Sequence, residues 1–442
     1  MKVVLVKPPE HSPLNFGTFS LAVIAAAIRE YVDVTILDCT DTVLDRAVSA
    51  TVKTNPDLVG VTTMGRKSVE PTCAYIKRLR NEYTGMIVVG GHGATMLPDP
   101  VLQAGATAVV CGEGESTLRE IVHTGGVTDT VRGLALLQDG RVIKTPIRPL
   151  IDPLDTLPEP ARDLTEPPPG GIGLVETSRG CPYTCLFCEA SRFYRGIWRP
   201  YSPARVVKDI QNVLSSGATI VHIVDDNFTV DPQRVVQICE LLEKGELPLF
   251  FYFSARSDDL LHPGVIPSLA SAHFLRAGIG IETLEPELAC VTGKPISFDT
   301  HKKACTALRK AGIFTVASFI TGLPGETDDM RRRCVELAVK VGADVAQFVP
   351  FQPLPGTPLE KGTGAPEAWA EKAAAQYTYE FRCHPEVISR LLKSSGEYTV
   401  RGILARNTLA KWVTEGEVGA QGEDIQEKLQ NIDPGLFTEG HH

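Results

Sequence analysis

The sequence predicts an α/β protein with an open doubly wound sheet, a partial barrel and a helical C-terminal region. Three observations lead to this prediction. Short apolar runs rich in β-branched residues alternate with helical segments in two separate stretches, a Pro-rich break separates the stretches, and the pattern turns helical from about residue 365 onward. We therefore expect domains over residues 1–147, 172–360 and 361–440, with a linker over 148–171 between the first two.

The first domain is expected to hold five strands that alternate with helices. Its strand segments are KVVLVKPP, VDVTILDC, DLVGVTTM, MIVVGGHG and TAVVCGEGE. Apolar runs without polar interruption indicate strands covered on both faces, and hence a parallel sheet of the flavodoxin-like kind. Ligands bind such sheets at the carboxyl ends of the strands, where glycine lets the backbone approach a large ligand closely.

The second βα stretch predicts a partial (β/α)6 barrel of the TIM type. It follows the segment RPLIDPLDTLPEPARDLTEPPPGG, which is dense in proline and acid and indicates an extended linker. Six strand segments come next: IGLVETS, TIVHIVDDNF, LFFYFSARSDD, FLRAGIGIETL, FTVASFITGLPGET and DVAQFVPFQPLPGTPL. In such barrels the chemistry lies in the loops after the strands.

The last part of the chain is expected to be helical. Its helices carry the basic side chains of Arg382, Arg390, Lys393, Arg401, Arg406 and Lys411. A solvated helix face is the favoured interpretation of these charges, and a surface for an anionic partner is the alternative.

Composition excludes several classes of protein. A net charge of −9 argues against capture of a nucleic-acid backbone. The N-terminal MKVVLVKPPE reaches two prolines before an apolar signal segment can form, and no run is long enough to span a membrane, so we expect a soluble cytoplasmic protein. Eleven cysteines without a secretion signal argue against a disulfide framework and favour metal or catalytic roles.

The segment TSRGCPYTCLFCEA carries three cysteines directly after the first barrel strand. Cys181, Cys185 and Cys188 have the spacing C-x3-C-x2-C. Three thiolates on one loop can hold three irons of a [4Fe-4S] cluster and leave the fourth iron open to a substrate. Zinc is an alternative, although a structural zinc site requires a fourth ligand at a fixed spacing and none is near in the sequence. A chance cluster is the remaining alternative.

This spacing, with Phe187 before the last cysteine, resembles that of the radical S-adenosylmethionine (SAM) superfamily over about residues 171–359. The resemblance implies that SAM chelates the open iron through its methionine part. It also implies that an electron from an external donor cleaves SAM to a 5′-deoxyadenosyl radical, which the barrel shields from water.

Further strand ends fit SAM binding under this resemblance. Asp225, Asp226 and Asn227 follow the second barrel strand, where they can bind the ribose or methionine part of SAM; a helix cap or turn is the alternative. Arg256 follows the third strand and can pair with the carboxylate of SAM; a structural salt bridge is the alternative.

The fourth and fifth barrel strands supply the remaining expected SAM contacts. The segment GIGIET places Glu282 at the mouth of the fourth strand. The segment SFITGLPGET places Ile320 and Gly322 where the adenine-binding strand of the superfamily would lie. Ser318 stands there in place of a glycine, so this stretch departs from the usual pattern.

The first domain resembles the cobalamin-binding domains of one large radical SAM subfamily over about residues 1–143. The matching segments are KPPE, LNFGTFSLAVIAAAI, VGVTTM, VVGGHGATMLPD and GATAVVCGEGE. The resemblance implies cobalamin contacts by Pro9, Asn15, Phe16, Thr62, Thr63, Met64, Gly90, Gly91, His92, Gly112, Glu113 and Gly114. No D-x-H-x-x-G motif supplies an axial histidine, and we interpret His92 as a hydrogen-bonding or solvated residue rather than a cobalt ligand.

Methylthiotransferases of the same superfamily are a rival interpretation, because they carry three further cysteines in their N-terminal domain. Cys39, Cys73 and Cys111 are the candidates in this chain. The ligands of that family follow the first, third and fourth strands, whereas Cys39 ends the second strand and Cys73 lies in a predicted helix. We therefore interpret all three as buried small apolar residues.

The leading hypothesis is a cobalamin-dependent radical SAM C-methyltransferase. The resemblance implies that one SAM methylates cobalt, a second yields the adenosyl radical, and the substrate radical takes its methyl group from methylcobalamin. The alternatives are cyclisation or ring rearrangement without methyl transfer, and a cobalamin carrier or sensor whose cluster is structural. The substrate is expected to be a small molecule or a peptide or protein side chain, such as the glutamine of methyl-coenzyme M reductase, with neither nucleic acid nor membrane as a partner.

Overall fold

The structure is a computed structural model that describes residues 1–10, 17–167, 169–354, 356–360, 364, 367–397, 399–418 and 421–430. Two residues expected to bind cobalamin, Asn15 and Phe16, lie outside the described residues. No helix in these ranges is long and apolar enough to cross a membrane. The cytoplasmic location stays a prediction.

The first domain is built on a seven-stranded sheet with the order β2-β1-β3-β4-β5-β6-β7. Its strands are β1 Lys2–Lys7, β2 Asp33–Asp38, β3 Leu58–Thr62, β4 Met86–Gly90, β5 Ala108–Val110, β6 Leu134–Gln138 and β7 Arg141–Lys144. Strands β1 to β5 are parallel. The strand order reverses between β1 and β3, which is where doubly wound sheets bind their ligands.

Helices cover both faces of this sheet. They are α1 Phe19–Ile28, α2 Leu44–Lys53, α3 Arg66–Arg80, α4 His92–Met96, α5 Pro98–Gln103 and α6 Glu115–Thr124. Because side chains alternate along a strand, Val3 and Leu5 of β1 join the core beside α1 and α6, and Val4 and Val6 join the core beside α2 and α3. Because both faces of each strand are buried, the strand segments in the sequence are apolar without polar interruption.

The sheet has two strands more than the five expected. Strands β6 and β7 form an antiparallel hairpin added to β5. Asp139 and Gly140 join them with φ values of 49° and 73°, and positive φ at both positions is the geometry of a type I′ turn. The signal was present in the sequence as Asp-Gly between two apolar runs, and the expectation of five strands overlooked it.

The second domain is the partial barrel that the sequence predicted. Its strands are β8 Ile172–Val175, β9 Ser178–Arg179, β10 Arg199–Pro200, β11 Ile220–Ile223, β12 Phe250–Ala255, β13 Phe274–Glu282, β14 Phe314–Thr321 and β15 Val345–Pro350. Six of them form a parallel sheet with the order β15-β14-β13-β12-β11-β8, and β9 pairs with β10 beside it. Neighbours in the chain are neighbours in this sheet, as in a TIM barrel left open at one side.

The barrel helices begin where local capping signals place them. They are α7 Ala190–Phe193, α8 Pro203–Ser215, α9 Pro232–Gly245, α10 Ser257–Leu260, α11 Val265–Ser271, α12 Pro286–Val291, α13 Phe298–Lys310 and α14 Asp328–Val341. The Ser202 hydroxyl accepts a hydrogen bond from the Arg205 amide at the start of α8, and Asp231 caps α9 in the same way. Both helices have proline directly after the cap, where its missing N–H costs nothing.

The C-terminal region packs on the outside of the barrel. Its helices are α15 Glu367–Cys383, α16 Pro385–Ser395, α17 Val400–Thr414 and α18 Gly422–Gln430. Tyr377 of α15 meets the Phe348 ring of β15 edge-on at 5.7 Å between centroids. The predicted solvated helix face is wrong for Arg401 and Arg406, which are buried. Arg401 pairs with the buried carboxylate of Asp344, a partner that no local sequence pattern reveals.

Candidate active site

The carboxyl ends of the first sheet and of the barrel border one cavity of about 300 Å³. The first domain contributes the segments that follow β3, β4 and β5, and the barrel contributes Glu176, Val224 and Asp226 at its strand ends. Both kinds of fold bind their ligands at these ends. The cavity therefore brings the two expected cofactor regions into one space.

Most of the described residues expected to bind cobalamin line this cavity. They are Thr62, Met64, Gly90, Gly91, His92, Gly112, Glu113 and Gly114. Pro9 and Thr63 do not line it. Thr63 is fully buried, and its amide donates a hydrogen bond to the carbonyl of Gly90, so it aligns the two loops behind the cavity wall instead of facing a ligand.

The cavity extends into an apolar slot that sequence reasoning missed. Leu5, Ile24 and Leu118 line this slot between the sheet and the helices α1 and α6. Gly60 of β3 keeps it open, because a Cβ at that position would lie 2.7 Å from Cδ2 of Leu5. In the sequence, Leu5, Ile24 and Leu118 are indistinguishable from ordinary core residues. The one sequence signal for the slot is the glycine at position 60, which has no side chain to fill it.

His92 packs across the boundary between the first domain and the barrel. Its ring stacks on that of Phe193 in α7, with centroids 3.9 Å apart and planes 10° apart. Burial lowers the pKa of His92 to about 4, so the ring is neutral at pH 7. The structure thus gives His92 a packing role in the cavity wall.

A buried network of charges, the ionic seam, joins the first domain to the barrel. It consists of Arg179, Arg199, Glu113, Glu115 and Glu176. Arg179 lies 2.9 Å from Glu113, 2.7 Å from Glu115 and 2.8 Å from Glu176, and Arg199 lies 3.0 Å from Glu113. Burial raises the pKa of Glu113, whereas Arg179 and Arg199 lower it. The two arginines together have the larger effect, so the pKa of Glu113 lies below its ordinary value.

The three-cysteine loop is fixed by backbone contacts at both ends. Gly180 precedes it with φ of +82°, and a Cβ there would lie 2.2 Å from the carbonyl oxygen of Ile197, so only glycine fits. Within the loop, the amide of Leu186 donates to the carbonyl of Thr292 at 2.8 Å. The segment after α12 therefore holds the loop over the barrel mouth.

The cysteines of this loop are half-buried free thiols. Burial raises the pKa of Cys181 to about 11 and of Cys188 to about 12, so both stay protonated at pH 7 until a metal displaces the proton. The part of the chain that the structure describes gathers no three His, Cys, Asp or Glu side chains around a single ion. Zinc ligands converge on one point, whereas the thiolates of a cubic cluster bind three different irons.

Arg256 stands beside this loop. Its guanidinium forms two hydrogen bonds with Asp258, at 3.1 and 2.8 Å, and lies 3.6 Å above the ring of Tyr183. Nη1 also lies 3.9 Å from Sγ of Cys185. Arg256 thus forms a salt bridge within the chain and places a positive charge next to a cysteine sulfur, and its pairing with the carboxylate of SAM stays a prediction.

The three residues after β11 have different roles. The carboxylate of Asp225 is buried and accepts hydrogen bonds from the backbone and hydroxyl of Thr177. Asn227 donates to Asp259 at 2.7 Å and is also buried. Only Asp226 lines the cavity. Asp225 and Asn227 thus hold the strand end in place, Asp226 is the one of the three that faces the cavity, and contact of these residues with SAM stays a prediction.

Glu282 has a partner that sequence reasoning missed. Nζ of Lys294 donates to its carboxylate at 2.9 Å and to the carbonyl of Gly280 at 2.7 Å. Both side chains are nearly buried, and Glu282 adopts the left-handed region with φ of +66°. A lysine just after a short helix has no sequence pattern that would predict its pairing with Glu282. Its place beside the loop after β13 shows that it positions Glu282 at the barrel mouth.

The other expected SAM contacts also lie at the barrel mouth. Phe187 and Ile320 pack against one apolar cluster that includes Leu323 and Phe351. The amide of Gly322 donates to the Glu326 carboxylate at 2.6 Å. The structure thus brings Phe187 of the cysteine loop onto the strand end that carries Ile320 and Gly322, and direct contact with SAM stays a prediction.

The rival metal site in the first domain is not supported. Cys39 and Cys73 belong to the apolar core beneath one face of the sheet, and Cys111 packs against the same core. Burial, followed by the charge of Asp38, raises the pKa of Cys39 to about 11. This packing favours the interpretation of the three cysteines as small apolar residues.

Stability is expected to fall in acid because of His301, which anchors the helix carrying Asp258. Its imidazole is buried and lies 2.7 Å from the Ser257 hydroxyl. Burial lowers the pKa of His301 to about 4, whereas the unfolded chain takes up the proton near pH 6.5. The unfolded state therefore binds more protons between these values, and as pH falls from 6.5 to 4 the free energy of unfolding drops by up to about 3 kcal/mol.

Urea unfolding between pH 4 and 8 measures this loss. His301→Gln should show a shallower dependence on pH, because glutamine cannot take up the proton. His262→Gln is the control, since His262 is exposed. An identical pH dependence in wild type and His301→Gln would contradict the assignment.

Comparison with known proteins agrees with both parts of the site. Residues 175–338 match the Radical SAM superfamily, and residues 11–122 match the B12 binding domain. The chain is 31% identical over 379 residues to the uncharacterized methyltransferase PH0819 of Pyrococcus horikoshii, across 81% of this chain and 82% of that relative. The chain belongs to the cobalamin-dependent radical SAM family. Its cofactors are a [4Fe-4S] cluster, SAM and cobalamin.

Two further proteins are similar to this radical SAM enzyme over most of its length. The anaerobic magnesium-protoporphyrin IX monomethyl ester cyclase of Rubrivivax gelatinosus is 26% identical over 392 residues, which cover 82% of this chain and 70% of the cyclase. The radical S-adenosylmethionine methyltransferase TsrM of Kitasatospora setae, solved with cobalamin and a [4Fe-4S] cluster bound, gives a TM-score of 0.70 at 21% identity and covers 81% of this chain and 76% of that one. The predicted fold class is thereby confirmed.

The residues present fit these cofactors. Cys181, Cys185 and Cys188 supply the soft thiol donors that iron–sulfur clusters require, on a loop that can reach three irons. The cavity has glycine at two strand ends and an apolar slot behind them, which suits a large flat ring with an apolar appendage. These two sets of residues would hold the cluster and cobalamin, respectively.

Proposed function

We propose that this protein is a C-methyltransferase that uses SAM both as methyl donor and as radical source, and that methylates an unactivated carbon. One observation carries the proposal: residues from the cobalamin-binding sheet, such as Gly91, and residues from the barrel mouth, such as Asp226, line the same cavity. A carbon bound in this cavity lies within reach of both halves of the enzyme.

The chain's own residues bind, orient and shield the reactants. When bound, the cluster supplies the electron that cleaves SAM, and cobalamin supplies the methyl group. Burial raises the pKa of the Cys185 thiol, and the positive charges of Lys294 and Arg256 offset part of that rise. The stacked rings of His92 and Phe193 close the wall between the domains, which keeps water from a reactive centre.

Asp226 brings a carboxyl group to the boundary between the cluster loop and the cavity. Burial, followed by the charges of Asp225 and Glu176, raises its pKa to about 7. A carboxyl group that is partly protonated at pH 7 can donate a hydrogen bond to a bound ligand as well as accept one. We infer that Asp226 orients SAM or the substrate through its oxygens.

The experiment uses the full chain reconstituted with iron, sulfide and cobalamin under anaerobic reducing conditions. The protein is incubated with methyl-labelled SAM and candidate substrates, and 5′-deoxyadenosine, S-adenosylhomocysteine and labelled products are measured by mass spectrometry. The proposal expects both nucleosides to form in equal amounts, with one labelled methyl group on the product.

Other outcomes identify the alternatives. A product that forms together with 5′-deoxyadenosine but carries no label would indicate cyclisation or rearrangement, as in the name of the Rubrivivax relative. Absence of 5′-deoxyadenosine despite a full cluster would indicate a carrier or sensor. A peptide or protein side chain, such as the glutamine of methyl-coenzyme M reductase, is one substrate to include, and it stays a prediction.

A further inference from the structure

A row of three polar side chains crosses the barrel interior below the cavity. His222 of β11 pairs in register with Tyr252 of β12, and Tyr252 pairs with Arg276 of β13. Side chains at paired positions of neighbouring strands emerge on the same face of a sheet. Val224 and Asp226 follow the end of β11 at the same alternation as His222 and line the cavity, so the row continues the cavity wall toward the barrel interior.

Arg276 has no anionic partner within the described residues. No hydrogen bond or ion pair to its guanidinium is found there, and Cζ lies 5.3 Å from the ring centroid of Tyr252. Other arginines of low exposure have partners: Arg179 meets three carboxylates and Arg401 meets Asp344. The side chain of Arg276 is half-buried, so its charge is partly desolvated and an anion that reaches it from the barrel interior would stabilise it.

The two neighbours of Arg276 suit the same ligand. Burial lowers the pKa of His222, and the charge of Arg276 lowers it further, so the imidazole is neutral at pH 7. Burial raises the pKa of Tyr252, so its hydroxyl keeps its proton. A phenol group can donate a hydrogen bond to an oxyanion that a guanidinium holds from the side, and the neutral imidazole adds no charge that competes for the anion.

Small residues follow this row toward the carboxyl ends of β12 and β13. Ser254 follows Tyr252 on the inner face of β12, and Gly278 and Gly280 follow Arg276 on β13. A Cβ at Gly278 would lie 3.4 Å from the Ser254 hydroxyl oxygen, so an added side chain would narrow the space there. At roughly 3.3 Å per residue, Val224 stands about 7 Å above His222, a distance that a short acyl or sugar-sized group can span.

We propose that His222, Tyr252 and Arg276 form a subsite for a carboxylate or phosphate group of the substrate. The assignment of this anion to a substrate rests on the proposed function. The subsite selects an acidic substrate whose reacting carbon lies one short spacer away from the charged group. A neutral glutamine side chain carries no such group, so the subsite separates these two substrate classes.

Inorganic phosphate and acetate serve as probes in isothermal titration calorimetry with the reconstituted enzyme, at an ionic strength held constant with chloride. Wild type is expected to bind at least one of them. Arg276→Gln should weaken that binding at least tenfold, and Arg276→Lys should retain part of it, because lysine keeps the charge but lacks the two-pronged geometry. Arg46→Gln, on the exposed surface of α2, is the matched control and should bind as wild type does.

Thermal unfolding shows whether the variants fold. Without phosphate, Arg276→Gln should melt no lower than wild type, because it removes a partly desolvated charge without an anionic partner among the described residues. With phosphate, only wild type and Arg46→Gln should gain stability. Equal gains in wild type and Arg276→Gln would mean a non-specific ion effect and would overturn the subsite, as would the absence of any binding to wild type.

A third arm identifies the source of the anion. Phosphate binding to wild type should be unchanged by saturating SAM, and displacement by SAM would assign the subsite to the carboxylate of SAM and overturn the proposal. The proposed function has a separate readout, namely 5′-deoxyadenosine formation by wild type. If wild type formed no 5′-deoxyadenosine, the measured phosphate and acetate binding would still stand. If wild type bound neither anion, 5′-deoxyadenosine formation would still stand.

Discussion

Cys185→Ala is expected to abolish 5′-deoxyadenosine formation. The alanine removes one of three thiol donors on a loop that offers no fourth cysteine, so one more iron loses its protein ligand and the cluster is not retained. Burial raises the pKa of Cys185, and the charges of Lys294 and Arg256 offset part of that rise. Mass spectrometry of the nucleoside and iron analysis of the purified protein measure the two losses together.

Cys290→Ala is the matched control. Cys290 is exposed in α12, beyond the cysteine loop, and its replacement should leave iron content and 5′-deoxyadenosine yield at the wild-type level. Cobalamin binding by Cys185→Ala should also persist, because the strand-end glycines and the residues of the apolar slot belong to the first domain and the cysteine is not among the residues that line the cavity. A Cys185→Ala protein with a full complement of iron and wild-type yield would contradict the assignment of the loop.

The sequence was sufficient where a site is local. The cysteine loop could be predicted because its three donors stand within eight residues, so their proximity does not depend on the fold. The strand-end glycines of the first domain could be predicted because the carboxyl ends of parallel strands meet at one edge of the sheet. Both predictions used only chain-local spacing and one topological rule.

Residues that act through distant partners could not be predicted from such rules. Lys294 reaches Glu282 across a short helix, and Arg179 reaches Glu113 from a different domain. The sequence marks each as an ordinary charged residue. The partners become visible only when the register of β13 and the contact between domains are known.

Burial gives some polar residues a structural role that the residue type alone does not indicate. Asp225 and Asn227 are polar residues at a strand end, which the sequence equates with ligand contact. In the structure both side chains point into the protein and have hydrogen-bond partners there. Alternation along the chain leaves Asp226 between them as the residue that faces the cavity.

Arg179→Met is expected to cause the largest loss of stability. The substitution leaves Glu113, Glu115 and Glu176 in the ionic seam without their shared cation, although Glu113 keeps Arg199. Breaking a buried pair by removing one partner costs about 3–5 kcal/mol, because the remaining charge stays desolvated. Cobalamin affinity should fall as well, since Arg179 and Glu113 both line the cavity.

Arg29→Met is the control for this substitution. Arg29 also pairs with a carboxylate, Asp163, through two hydrogen bonds of 2.7 Å, but the pair is exposed, with 40% and 61% of the side chains open to solvent. Its loss should cost no more than about 1 kcal/mol. Urea unfolding compares the two variants at one pH.

The pH dependence distinguishes a lost ion pair from lost packing. Without Arg179, the buried carboxyl groups have a folded-state pKa above the unfolded value, so the folded variant binds more protons and its stability falls as pH rises. The deficit of Arg179→Met against wild type should therefore shrink as pH is lowered toward the ordinary pKa of glutamate, near 4.3. A deficit of the same size at every pH would assign Arg179 a role in packing alone and would remove the ionic seam as the element that joins the two halves of the site.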